Sequence, residues 1–128
     1  MFPYLAIARE LIAVDYAPHG QIFPRAVAVV HHGGMGTTGQ ALRSGRPMLV
    51  VPHNYEQPEN AARVVRLGSA RRVERGQYTA DMVADELRKL LFEKKYAQTA
   101  AEIRGAIAAE NGVKRAGDAI EHYITYSP

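Results

Sequence analysis

An unbroken apolar run at residues 26–30 leads directly into His31-His32-Gly33-Gly34-Met35-Gly36-Thr37-Thr38, and this junction limits the fold more than any other stretch of the chain. A run without polar alternation fits a strand buried on both faces, the environment of a parallel sheet. Gly33, Gly34 and Gly36 then allow a sharp turn and a close approach of backbone to a ligand. A helix is expected over residues 37–44, ended by Gly45 as a left-handed cap and by Pro47. Strand, tight turn and helix make a βα unit, which needs parallel neighbours.

Those neighbours can be read elsewhere. Residues 48–51 form a second apolar run, residues 70–73 a weaker one, and residues 11–14 a short β-like one. A helix over residues 58–67 opens on Pro58 and closes at Gly68. Thr79 is placed to cap a helix through residue 91, with Asp81 in its first turn and Met82, Val83, Leu87, Leu90 and Leu91 on its apolar side. Helices over 96–110 and 113–126 follow, parted by Asn111-Gly112. The expected architecture is α/β: a Rossmann-like parallel sheet with flanking helices and a helical C-terminus. About four strands is short of the roughly five or six usual for a sheet. Residues 1–10 find no partner element, so the domain reads as lacking its first βα units, with residues 1–128 as one partial domain. An exposed parallel edge would be open to association with a second copy.

Composition narrows the function classes. A length of 128 residues suits one domain, and a 47% hydrophobic content is enough for one core. The net charge of +3 suits a small anionic ligand. The arginines are scattered (Arg43, Arg46, Arg63, Arg66, Arg71, Arg72, Arg75), so nucleic acid is not the expected partner. Cysteine is absent, which excludes disulfides and thiol catalysis and makes the cytoplasm the simple expectation. Arg9 and Glu10 break the apolar start, which does not read as a signal peptide, and no stretch approaches the roughly 20 apolar residues of a membrane span.

The chemistry converges on the glycine turn. A helix start presents unpaired N–H groups and the positive end of its dipole, and Thr37 and Thr38 add hydroxyls, so a phosphate or diphosphate is the natural occupant. The dipole contributes only about 0.3–1 kcal/mol. Each hydrogen bond to a charged group adds about 1.5–3 kcal/mol, so several donors could hold a diphosphate without a metal. No Asp-x-Asp pair is present to chelate one, and neither a metal nor a cofactor is expected. The spacing is not G-x-G-x-x-G, nor is there a G-x-x-x-x-G-K-[ST]. His32 reads either as a ligand contact or as a hydrogen-bonded strand-end residue, and His31 points to the opposite side of the strand, toward packing. After the next apolar run comes Pro52-His53-Asn54-Tyr55-Glu56-Gln57-Pro58, at the same carboxyl edge of the sheet. Glu56 and Gln57 suit sugar hydroxyls, or equally the capping of the helix that follows.

Taken in order, Asp15-Tyr16-Ala17-Pro18-His19, the Val30-to-Thr38 turn, residues 47–52 and Glu56-Gln57-Pro58-Glu59-Asn60-Ala61-Ala62-Arg63 resemble the C-terminal domain of the UDP-glycosyltransferase superfamily with the two-domain B-type fold. Bacterial sterol, macrolide and rhamnosyl transferase-like members are the nearest in pattern. The likeness covers residues 15–126 and is most specific over 16–68.

The resemblance implies roles. Tyr16 stands where a tryptophan often stacks on the nucleobase, and His19 where many members have a glutamine contacting the nucleoside. His32, Gly33, Gly34, Gly36, Thr37 and Thr38 correspond to the diphosphate cradle. Gln40 replaces the ribose-binding glutamate of plant members, and Glu56 replaces the aspartate that usually precedes Gln57 in the donor-sugar contact. The implied reaction is metal-independent inverting transfer from a UDP- or dTDP-sugar to a small-molecule or lipid acceptor. The acceptor pocket and general base would lie in an N-terminal domain, so this chain holds no catalytic residue and is expected to bind donor without turning it over. A separate donor subunit docking onto an acceptor subunit, a non-catalytic nucleotide-sugar-binding module and a non-binding remnant are the alternatives.

Overall fold

A computed structural model describes residues 11–126; the expectation for residues 1–10 lies outside them. The chain places α1 (His19–Ile22), a single 3-10 turn (Phe23–Arg25), β1 (Val29–His31), α2 (Met35–Ser44), β2 (Met48–Val50), α3 (Gln57–Leu67), β3 (Ala70–Arg72), a second 3-10 turn (Arg75–Gln77), α4 (Ala80–Phe92), α5 (Lys94–Ala109) and α6 (Gly112–Tyr126). The sheet has three parallel strands in the order β1-β2-β3, with Val29 opposite Met48 and Met48 opposite Ala70.

β2 is central, and Met48, Leu49 and Val50 are fully buried because alternate side chains enter two cores. Met48 and Val50 join Val29, Ala41, Ala61, Val64 and Ala70 on the side of α2 and α3. Leu49 joins Val51, Val73, Leu90 and Tyr96 on the side of α4 and α5. The expected α/β fold with a helical C-terminus is therefore present. Gly45 and Gly68 end α2 and α3 with φ of +70° and +90°, the left-handed caps their positions called for.

Three expectations need revision. Residues 11–14 form no strand; Leu11, Ile12 and Val14 are exposed. A four-residue run becomes a strand only when a neighbour accepts its backbone hydrogen bonds, and β1 offers none to it among the described residues. The strand expected at 26–30 is displaced to Val29–His31, where it faces Met48–Val50 across the ladder. The side of α4 toward the sheet also carries a charge: Glu86 is buried beside Leu90, while Met82 and Leu91 are exposed. Glu86 accepts from Arg71 on β3 and, at 2.8 Å, from Lys89, while Arg71 also donates to the Tyr96 hydroxyl at 2.7 Å. The Arg71 guanidinium holds the Glu86 carboxyl below its ordinary range and thereby keeps the buried charge paired.

Candidate functional site

The carboxyl ends of β1 and β2 carry the loops where the informative motifs lie. β1 ends at His31, a buried side chain whose Nδ1 accepts the Gly33 N–H at 3.1 Å. Its Nε2 lies 3.3 Å from the Met48 sulfur, so the ring proton sits on Nε2, the sulfur accepting. Burial, followed by the charges of His32 and His19, pushes the His31 pKa down to about 4, and the ring is neutral at pH 7. Gly33 has φ of +92°, and a Cβ there would lie 3.0 Å from Val50 Cγ1 and 3.1 Å from the Gln57 carbonyl. Only glycine fits both the angle and the space.

Gly34 is the N-cap of α2, and no side chain caps that helix; its first turn holds no acidic residue. The Thr38 N–H closes the first helical bond onto the Gly34 carbonyl at 2.9 Å. The N–H groups of Met35, Gly36 and Thr37 come earlier and have no acceptor of their own within the helix. Nothing lies within 4 Å of where a Gly36 Cβ would stand, so the first turn faces open space. Of the two hydroxyls, Thr37 is half-buried and Thr38 buried, and the Thr38 Oγ1 is enclosed without a partner. His32 is exposed, and its ring folds over the Gly34 α-carbon, with Nε2 2.5 Å from where a Cβ would be.

The three residues assigned to the nucleoside do meet. Tyr16, His19 and Gln40 line one cavity of about 540 Å³, together with Asp15, Pro18 and Gln21. The His19 ring stacks on Phe23 at 4.5 Å, which leaves one face of the imidazole toward solvent. Gln40 comes from α2, so this cavity adjoins the helix whose N-terminus is open.

The β2–α3 loop is organised from within. The Gln57 Oε1 accepts the backbone N–H of His53 at 3.0 Å and of Asn54 at 3.3 Å, while Glu56 is exposed and makes no capping bond. Gln57 keeps its amide NH₂ for an outside acceptor. Tyr55 between them has φ of +55°, the one positive φ of a non-glycine residue among those described. Four further residues went unassigned from sequence. Asn60 donates to the Gly33 carbonyl at 3.0 Å. His53, Arg75 and Tyr78 line a smaller cavity of about 200 Å³ with His32. The three-residue spacing of Gln57 and Asn60 on one helix face was a usable signal for the first. Nothing local marks Arg75 and Tyr78, which arrive from the β3–α4 connection.

Known structures share this fold. The crystal structure of glycosyltransferase VinC in complex with dTDP matches with a TM-score of 0.75 at 34% identity, over 80% of this chain and 26% of that one. The chain belongs to the family of the erythromycin biosynthesis protein CIII-like C-terminal domain, whose pattern it matches over residues 5–116. It is 36% identical over 122 residues to the O-mycaminosyltylonolide 6-deoxyallosyltransferase of Streptomyces fradiae, covering 94% of this chain and 29% of that enzyme. It is likewise 36% identical over 118 residues to a sterol 3-beta-glucosyltransferase of Cryptococcus neoformans, covering 92% of this chain and 7% of that enzyme. The chain thus spans less than a third of the length of each of these relatives. Among the described residues, no helix is long and apolar enough to cross a membrane.

Proposed function

We propose that this chain holds the nucleoside diphosphate of a UDP- or dTDP-sugar for metal-independent inverting transfer, with the acceptor and the general base supplied from outside residues 1–128. One observation carries the reading: α2 begins with free backbone donors, no capping side chain and no acidic residue, next to a cavity of nucleoside size. In this reading the diphosphate lies on the first turn of α2, His32 and Thr37 reach it from either side, and Tyr16, His19 and Gln40 receive the nucleoside. Glu56 and the free amide of Gln57 meet the sugar hydroxyls. As the bond to the anomeric carbon breaks, the charge building on the departing diphosphate falls on donors already aimed at it. Among the described residues, no three His, Cys, Asp or Glu side chains gather where they could hold a metal ion.

Calorimetric titration of the 128-residue chain with UDP, dTDP, GDP and NAD tests the reading. A uridine or thymidine diphosphate should bind with a Kd in the roughly micromolar to millimolar range usual for enzyme substrates, unchanged by EDTA, and NAD should give no heat. Sugar transfer by the isolated chain would contradict the outside origin of the base. A partner domain or subunit is favoured by α6, whose Val113, Ile120, Tyr123 and Ile124 are exposed on an otherwise regular helix.

A further inference from the structure

The structure assigns His31 and Asn60 as positioning residues that clamp the two peptides flanking Gly33, His31 the one before it and Asn60 the one after, and so aim the Gly34 N–H of the second peptide out of the fold and into the ligand space. The assignment rests on the donor-binding reading above. His31 Nδ1 takes the Gly33 N–H from below at 3.1 Å, and Asn60 Nδ2 holds the Gly33 carbonyl at 3.0 Å from α3. A peptide unit is planar and trans, so a carbonyl pointed at Asn60 forces the N–H of Gly34, in the same plane, to point the opposite way. That N–H has no acceptor among the described residues. The Gly33 N–H, by contrast, is spent on the protein and is no ligand donor.

Two features show that this is a fixed arrangement. Gly33 stands against Val50 and the Gln57 carbonyl with no room for a Cβ, so the turn cannot relax toward the sheet or α3. His31 is buried among apolar neighbours and neutral, and only a neutral ring can accept at Nδ1 while its Nε2–H faces the Met48 sulfur. Asn60 also sits one helical turn from Gln57, whose Oε1 orders His53 and Asn54. The clamp therefore ties the turn after β1 to the loop after β2.

The test measures dTDP binding by calorimetry, together with hydrogen exchange at the Gly33 amide, in the wild-type chain and in His31→Leu, His31→Asn and Asn60→Leu. Expected are dTDP affinities about tenfold weaker for His31→Leu and Asn60→Leu, equivalent to ~1.4 kcal/mol, with cooperative melting retained. His31→Asn places an amide oxygen near the Nδ1 position and should recover binding to within about threefold of wild type. The Gly33 amide should be protected in wild type and His31→Asn and exchange faster in His31→Leu. If His31→Leu does not fold, Asn60→Leu at the half-buried surface of α3 decides. Wild-type affinity in both leucine variants, or His31→Asn binding no better than His31→Leu, overturns the clamp. If the wild-type chain binds neither dTDP nor UDP, the donor reading fails instead; the clamp then stands or falls on Gly33 protection alone.

Discussion

Two helices in this chain begin in opposite ways. α4 starts from Thr79, whose Oγ1 accepts the Met82 N–H at 3.3 Å, and it carries Asp81 in its first turn. Its donors have an acceptor and its dipole has a negative charge, both from its own sequence. α2 starts from Gly34, with neither cap nor acid, after a glycine whose positive φ turns the chain sharply away from the sheet. A helix start left incomplete in this way lacks a stabilising contribution that one serine or aspartate would supply. In the proposed reading the binding capacity lies in the element whose hydrogen bonds the fold itself does not complete. α4 in turn is locked to the sheet through Glu86, Arg71 and Tyr96.

The largest effect expected from this contrast concerns pH. The open turn rests on a neutral His31, whose pKa is about 4 in the fold against 6.5 unfolded. Above pH 6.5 both states are neutral and stability is complete. As pH falls from 6.5 toward 4 the unfolded chain takes up a proton that the folded chain refuses, so stability drops, by about 3 kcal/mol in total. Urea unfolding at several pH values should show this slope in wild type and its loss in His31→Asn; parallel curves would mean that His31 titrates as an ordinary histidine. Next in size is Thr79→Ala, which should cost about 1 kcal/mol of stability by removing the cap of α4 and leave dTDP affinity as it was. A change in dTDP affinity there would erase the separation between the two helix starts. Smallest is Gly36→Ala. Its new methyl meets open space, so thermal unfolding should show a gain of about 0.4–1 kcal/mol, from lower entropy of the unfolded chain. The same variant should bind dTDP more weakly, because the space it fills is the one the proposal gives to the diphosphate; undiminished binding would place the ligand elsewhere.

Much of the fold was legible because its signals are local. Gly45 and Gly68 marked two helix ends through the left-handed caps that only glycine takes easily, and Thr79 marked a helix start through its hydroxyl. The all-apolar run at β2 announced a strand buried on both faces. At the site, His31 was expected to pack and does, and Tyr16, His19 and Gln40, more than 20 positions apart at the extremes, do line one cavity. Residues 11–14 are apolar as a strand would be, but a strand also needs a pairing neighbour, and the sheet of the described residues gives them none.

By itself the sequence determined where this chain turns, caps and buries, because those depend on the φ range, size and polarity of single residues and their near neighbours. It also specified a glycine turn at the end of a buried strand. Only the tertiary structure decided which amides of that turn face outward. That depends on His31 at the end of β1 meeting Asn60 and Gln57 of α3 around Gly33, and no spacing along the chain encodes the meeting of those two elements. The same holds for the pairing of Arg71 with Glu86, and for Arg75 and Tyr78 coming to lie beside His32. Hydrogen bonds and close packing act over a few ångströms in space, and the sheet brings together residues that the sequence holds far apart.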